Sequence, residues 1–138
     1  VMENIRRITK GPATYALFCK GVPETDGIRF LTEQDDAFQL GVMERPAGYE
    51  VKPHTHPEYK RELTTTTEFL MIQKGRVNVK VFDEDRAELE NEELTTGDLL
   101  IFFRGGNALT MLETTRMLEV KQGPYPGDTA AKSFHSVP

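Results

Sequence analysis

The sequence predicts an all-β fold built as an antiparallel sandwich or barrel. Short runs rich in β-branched and aromatic residues recur along the 138 residues, with glycine or proline turns between them. Val77, Val79 and Val81 alternate with other side chains, which is the period-two pattern of a half-buried strand. No stretch has the long apolar stripe of an amphipathic helix. Many short strands joined by tight turns favour stacked antiparallel sheets or a closed barrel.

The predicted strands have recognisable boundaries. Gly21 ends the first apolar run, and an acidic turn separates the next two. The segment 49–56 contains Pro53 and is followed by Pro57, so we expect an irregular or edge strand there. Four threonines open a long β run, and Gly75 provides the turn to the valine-rich strand. In order, strands are predicted at residues 14–19, 27–31, 38–45, 49–56, 64–73, 77–82, 99–103, 108–112 and 116–121.

Two further stretches are assigned from composition. Residues 83–93 contain seven carboxylates, and we expect a solvated hairpin tip there. Glycine and proline residues at positions 123–127 end regular structure. We therefore expect one domain spanning residues 1–138, with a barrel core at about 38–121 and a C-terminal tail at 122–138 that packs on the body or frays.

Composition excludes several classes of function. The formal net charge of −5 and the sequence pI of about 5.3 argue against nucleic-acid binding. Apolar runs approaching the ~20 residues of a membrane-spanning helix are missing. The single cysteine, Cys19, cannot form an internal disulfide and lies in an apolar run, so we expect a buried packing residue and a cytoplasmic protein.

A metal site is indicated by His54 and His56. Side chains separated by one residue point to the same side of a β-strand, so two imidazoles at this spacing can face one ion. Glu68 opens a later strand that a hairpin could lay beside them. Two imidazoles and one carboxylate form a ligand set that divalent transition metals favour.

These residues resemble the first motif of the cupin superfamily. The pattern is Gly48-x5-His54-x-His56 followed by Glu68-x6-Gly75, and the segments Gly97-Asp98 and Arg104-Gly105-Gly106 resemble the start of the second motif. The resemblance covers roughly residues 38–121. It implies a double-stranded β-helix, a small jelly-roll barrel, in which both histidines and the glutamate bind a divalent metal ion with a fourth ligand from the second motif.

The chain departs from that pattern at two places. Eleven residues separate His56 from Glu68, more than the family usually has, which leaves Glu58 or Glu62 as alternative carboxylate ligands. Where the second motif carries histidine, this chain has Asn107, whose amide oxygen suits harder ions such as Mn(II) better than soft ones. His135 in the tail is an alternative fourth ligand. Fe, Mn, Ni and Zn are not distinguished, and weak binding is expected.

A ligand pocket follows from the same alignment. If Glu68 faces the barrel interior, period two places Leu70 and Ile72 there also, and Asn107, Leu109 and Met111 would share the interior face of a closing strand. Arg104 could hold an anionic or carboxylate group. The candidate pocket and rim residues are Arg61, Arg104 and Met111, with Arg45, Glu113 and Lys121 as further polar candidates.

The stretch from Asp98 to Tyr125 resembles a group of small bacterial cupins, some found among genes for surface-polysaccharide or sugar-nucleotide synthesis. That resemblance implies a carbohydrate-like ligand. We therefore expect a metal-binding protein with a small-molecule pocket. A metal-dependent enzyme, either a sugar isomerase or epimerase or an Fe(II) oxygenase, is one alternative, and a degenerate non-catalytic barrel is another. A homodimer is expected, with residues 14–19 as the candidate sheet edge.

Overall fold

The all-β class is confirmed by the computed structural model, which describes residues 5–135. All the strand pairs are antiparallel, and the helix in the described range is a single turn. The elements are β1 (Ile5–Lys10), β2 (Ala13–Cys19), β3 (Gly27–Phe30), β4 (Gly41–Glu44), β5 (Glu68–Lys74), β6 (Arg76–Phe82), β7 (Glu88–Thr95), β8 (Leu99–Phe102), β9 (Gly106–Met111), β10 (Arg116–Lys121) and α1 (Asp128–Ala131).

The chain divides into two compact units. Pro23–Thr65 forms the smaller unit, and the chain before and after that segment forms the larger one. The smaller unit contains a two-stranded sheet of β3 and β4. The larger unit contains a five-stranded sheet in the order β1-β2-β8-β5-β10 and a three-stranded sheet in the order β7-β6-β9.

The core of the larger unit is formed by alternate residues of both sheets. Val77, Val79 and Val81 on β6 are fully buried, as the alternation predicts. They cluster with Leu70 and Ile72 on β5. The other buried members of the cluster come from β1, β2, β7 and β8: Ile8, Tyr15, Ala16, Phe18, Leu94, Leu100 and Phe102. Sheet-on-sheet packing of this kind fixes which face of β5 turns inward.

The predicted strand at 49–56 is wrong. Residues 45–67 contain no strand, and Val51 is 57% exposed. Pro46, Pro53 and Pro57 lack the N–H that a ladder requires, and few apolar side chains stand between them. The segment therefore gains too little from pairing to form a strand.

The predicted hairpin tip at residues 83–93 is wrong in its second half. The turn covers only residues 83–87, and Glu88–Thr95 is strand β7, paired with β6. Cations neutralise its carboxylates: Lys80 Nζ lies 3.4 Å from Glu88, and Arg6 Nη1 lies 2.9 Å from Glu90. Because Lys80 on the paired strand β6 and Arg6 on β1 of the other sheet supply the opposite charge, a run of glutamates can form a strand.

The predicted dimer edge at residues 14–19 is also wrong. β2 lies between β1 and β8, so both of its sides are already paired. The sequence signal for β1 is weak because its apolar residues are sparse, and without β1 the run 14–19 looks like an edge strand. Cys19 is fully buried, as predicted, and its thiol donates to the Gly21 carbonyl at 3.3 Å.

The C-terminal tail packs on the larger unit. The Gln122 N–H donates to the Thr67 carbonyl at 2.9 Å, and the His135 ring contacts the Phe82 ring edge-on with centroids 5.1 Å apart. Residues 136–138 of the predicted tail lie outside the described residues. Among residues 5–135 there is no helix with the length and apolar character needed to cross a membrane.

Candidate metal centre

The predicted ligands are divided between the two units. His54 and His56 belong to the smaller unit, in the stretch without strands that follows β4. Glu68 and Asn107 belong to the larger unit, on β5 and β9.

The two imidazoles lie side by side although they are not on a strand. Their ring centroids are 5.0 Å apart at an interplanar angle of 73°, and both residues are exposed. His54 Nδ1 lies 2.8 Å from the Lys52 carbonyl. A carbonyl only accepts, so this contact selects the tautomer with a proton on Nδ1 and leaves the Nε2 lone pair available to a metal. The period of two does not apply to this segment because it is not a strand, but the two rings are neighbours.

Glu68 is the first residue of β5 and shares its face with the core. It alternates with the buried Leu70 and Ile72, so its carboxyl lies at the end of the inner face. Burial, and then the negative charge of Glu119, raise the pKa of Glu68, while Lys121 lowers it. Within the described residues the carboxylate has neither a hydrogen bond nor an ion pair. It is therefore a half-buried acid without a bonded cation.

Asn107 points to the core side of β9 but is exposed. It lies opposite Val81 in the ladder, and Met111 lies opposite Val77, so the predicted shared face is correct. Leu109 packs against the core, whereas Met111 is 46% exposed. The ends of β9 therefore form a rim, and the middle of the strand packs on the apolar interior.

His135 folds back onto β9, but on the other face. A Cβ atom added to Gly106 would lie 3.0 Å from His135 Nε2. Adjacent residues of a strand point to opposite faces, so the imidazole lies across the strand from the Asn107 side chain. This position does not favour His135 as a substitute for the missing histidine.

The predicted pocket arginines both have partners, Arg61 within its own loop and Arg104 on other elements. Arg61 lies over the Tyr59 ring at 4.8 Å and donates to the Tyr59 carbonyl at 3.3 Å. Arg104 Nε donates to Glu84 Oε1 at 2.6 Å, and the Tyr15 hydroxyl donates to the other oxygen of the same carboxylate. The hydrogen bond from Tyr15, together with Arg104, lowers the pKa of Glu84. An anionic ligand at Arg104 would have to compete with Glu84.

The remaining polar candidates are exposed or paired. Arg45 lies over the Tyr49 ring at 4.3 Å. Glu113 accepts from Arg76 Nε at 3.2 Å. Of the two alternative carboxylate ligands, Glu62 lies 3.7 Å from Lys60 Nζ, and Glu58 is exposed.

Two features were not singled out by sequence. Lys121 was a rim candidate, but Glu119, which projects with it from β10 beside Glu68, was not, although the alternation in residues 116–121 could have placed both on one face. Glu33, Asp35 and Asp36 each place one carboxylate oxygen so that the three lie within 4.8 Å of one another. That acidic turn was expected only as a solvated connection, and its spacing is common in exposed loops.

Comparison of the chain with family models, with curated proteins and with solved structures gave no match. The function is therefore inferred from the residues and their geometry.

Proposed function

We propose that this protein is a metal-binding cupin, a double-stranded β-helix that holds a divalent metal ion and a small, carbohydrate-like molecule in its pocket. The observation that carries the proposal is the histidine pair. His54 and His56 have adjacent rings, and the Nδ1 of His54 is fixed on a backbone carbonyl. Metal-binding histidines are commonly oriented through their second ring nitrogen in this way.

Glu68 is the carboxylate that best fits the third position. A half-buried carboxyl without a bonded cation gains more from a metal ion than an exposed one, because water does not already stabilise its charge. Glu58 and Glu62 are exposed, so water already stabilises the charge of each carboxylate. The ion would be held by two imidazole nitrogens and a carboxylate oxygen, and its chemistry would be that of a Lewis acid with open positions for a ligand.

Asn107 favours a weakly held or harder ion. An amide oxygen is a poorer ligand for borderline metals than imidazole, and it suits Mn(II) better than Zn(II). The apolar side chains of Leu70, Ile72 and Leu109 would form the floor behind this polar end. A pocket with one polar end and an apolar floor suits a small organic ligand.

Metal titration of the purified chain tests the proposal. We would measure binding of Mn(II), Fe(II), Ni(II) and Zn(II) to metal-free protein by calorimetry, with elemental analysis of the protein as purified. The double variant His54→Ala/His56→Ala should lose binding. His135→Ala is the matched control, because it removes the third histidine of the chain from a site on Phe82 and should leave binding unchanged. Equal binding by the wild type and the double variant would overturn the proposal.

Three glutamine variants identify the carboxylate. Glu68→Gln should weaken binding, whereas Glu58→Gln and Glu62→Gln should leave it unchanged. Thermal shift with sugars and sugar nucleotides, in the presence of the metal that binds, tests the ligand class, since a ligand that binds only the native state raises the apparent stability. If Glu58→Gln or Glu62→Gln weakened binding and Glu68→Gln did not, the long loop would supply the ligand.

A further inference from the structure

The C-terminal tail crosses one end of the larger unit from one sheet to the other. It leaves the five-stranded sheet at Gln122, whose N–H donates to the carbonyl of Thr67, the residue directly before β5. It reaches the three-stranded sheet at His135, whose ring contacts the ring of Phe82 at the end of β6. Because β5 and β6 are joined at Gly75, the start of β5 and the end of β6 lie at the same end of the two sheets.

This end is where the inner faces of the two sheets open to solvent. Glu68 ends the inner face of β5 and is half-buried, and Asn107 near the start of β9 is exposed. Two packed sheets are about 10 Å apart, whereas the thirteen residues from Gln122 to His135 can extend to about 40 Å. The tail is therefore long enough to arch over the opening between Glu68 and Asn107.

The tail brings a second ammonium group to the Glu68 carboxyl. Burial and Glu119 raise the pKa of Glu68, whereas Lys121 and Lys132 lower it, so Lys132 lies close enough for its charge to act on that carboxyl. Lys121 lies opposite Glu68 in the ladder and uses its ammonium to pair with Glu119 at 3.2 Å. Lys132 is exposed and forms no ion pair within the described part of the chain. An ammonium group has three donors, so both lysines keep donors free for a ligand.

An exposed aromatic ring lies beside these lysines. Tyr125 is 63% exposed, and its hydroxyl donates to Asp128 within the tail. The Glu119 hydrogen bond raises the pKa of Lys121, and Tyr125 adds to this effect, which places the phenol near that ammonium. Aromatic side chains beside a few polar donors are a common lining of small-molecule sites.

We propose that residues 123–134 form a strap over the pocket, and that Lys132 of the strap and Lys121 beneath it bind a phosphoryl group of the ligand. Two ammonium groups from different elements act as separate point charges, which suits the oxygens of a phosphate, whereas a planar carboxylate is matched best by an arginine fork. This ligand class rests on the proposed function of the pocket and narrows it to a phosphorylated small molecule. Glu68 and Glu119 balance the two lysines in the metal-free chain, so phosphate should bind when a divalent ion neutralises Glu68 or when that carboxylate is removed.

Phosphate titration of a metal-free variant tests the lysine pair without the metal site. Glu68→Gln in metal-free buffer should bind inorganic phosphate, because one of the two opposing carboxylates is gone. By calorimetry, Glu68→Gln/Lys132→Gln should bind phosphate at least about tenfold more weakly, the value of one hydrogen bond to a charged group. Glu68→Gln/Lys74→Gln is the matched control and should bind like Glu68→Gln, since Lys74 is exposed at the other end of the same strand. Equal affinities of the two double variants, or no phosphate binding by Glu68→Gln, would overturn the proposal.

Loosening the far end of the tail tests the strap. In the Glu68→Gln background, His135→Ala removes the ring that holds the tail to β6 and should weaken phosphate binding several-fold, whereas Phe134→Ala, at a position 84% exposed, should not. Saturating phosphate should slow tryptic cleavage after Lys132, followed by mass spectrometry, and should not slow cleavage after Lys60 in the exposed loop. Equal affinities of the His135→Ala and Phe134→Ala variants would show that residues 123–134 do not act as a strap.

The metal-loaded wild type tests the ligand class. Glucose 1-phosphate should bind more tightly than glucose in calorimetric titrations, and equal affinities would overturn the assignment of a phosphoryl site. Metal titration reports on the histidine pair, and phosphate titration of metal-free Glu68→Gln reports on the lysine pair. A failure of the proposed metal site is therefore distinguished from a failure of the strap.

Discussion

Lys121 lies directly opposite Glu68 in the ladder between β10 and β5. Its ammonium nevertheless pairs with Glu119, at 3.2 Å, and lies near Glu68 without bonding to it. Burial and Glu119 raise the pKa of Glu68, and Lys121 opposes them only in part. The inner face of β5 therefore ends in a carboxyl whose charge is incompletely compensated, and this is the physical basis of the proposal that Glu68 binds a cation.

Glu68→Gln should stabilise the metal-free protein at neutral pH. A carboxyl whose pKa is higher in the folded state than in the unfolded state makes its favourable contribution at low pH, and that contribution is lost as the pH rises through the folded-state pKa. Thermal unfolding in chelator from pH 3.5 to 7 should show the midpoint of the variant rising above that of the wild type as the pH increases. Glu58→Gln controls for the loss of one charge at an exposed position. A difference in unfolding midpoint between Glu68→Gln and wild type that does not change with pH would contradict this prediction.

Asp83→Asn should destabilise the protein most at neutral pH. The Asp83 carboxylate accepts from Lys10 Nζ at 2.5 Å and from the Asp85 and Ala87 N–H groups at 2.9 Å, and the Lys10 hydrogen bond is the main cause of its lowered pKa. A lowered folded-state pKa contributes stability above the unfolded-state pKa, and that stability is lost as the pH falls through the folded-state pKa. Unfolding midpoints from pH 2 to 7 should converge at the acid end. Asp85→Asn, an exposed neighbour, is the control, and an equal effect there would count against the Lys10 pair as the cause.

Two glycine variants separate backbone strain from steric contact. Gly97 and Gly105 both have positive φ, +90° and +78°, but a Cβ at Gly97 meets nothing within 4 Å, whereas one at Gly105 contacts the Phe82 carbonyl and lies 2.8 Å from Tyr15 Cδ1. Gly97→Ala should cost about 1–2 kcal/mol of unfolding free energy, the strain of a left-handed residue. Gly105→Ala should cost clearly more in urea titrations. Equal losses of unfolding free energy would mean that Phe82 and Tyr15 move aside for the added methyl group at little cost.

Local patterns predicted the strands whose signal lies within a few residues. The alternating valines gave β6 almost to its bounds, and residues 116–121 coincide with β10. Residue propensities did not predict the strands whose formation depends on their pairing partners. The glutamates of β7 pair because Lys80 and Arg6 face them, and β1 exists because β2 provides its ladder. The Arg6–Glu90 contact joins residues far apart in sequence. The β1–β2 and β6–β7 contacts are between neighbouring strands, but the pattern of a single strand does not show how that strand pairs.

Only part of the candidate site was predicted, because the pattern within one strand does not show which strand lies beside it. Alternation placed Glu68 with Leu70 and Ile72, and Asn107 with the core side of β9. Alternation within one strand could not show that β10 places Lys121 opposite Glu68. The predicted strand that contained both histidines is absent, because the prolines of that segment prevent strand pairing.

Asn107→His should tighten metal binding by at least about tenfold, since even groups that only orient a ligand are worth 10- to 100-fold in affinity. Position 107 lies opposite the buried Val81, so its side chain starts from the core side of β9. An imidazole there is a stronger ligand for borderline metals than the amide it replaces. Ala108→His is the matched control, because the next residue of a strand points to the opposite face. Calorimetric titration of both variants with Mn(II) and Zn(II) measures the effect. A gain shared equally by both variants would reflect adventitious binding by an added surface histidine, and no gain at position 107 would remove this residue from the metal site.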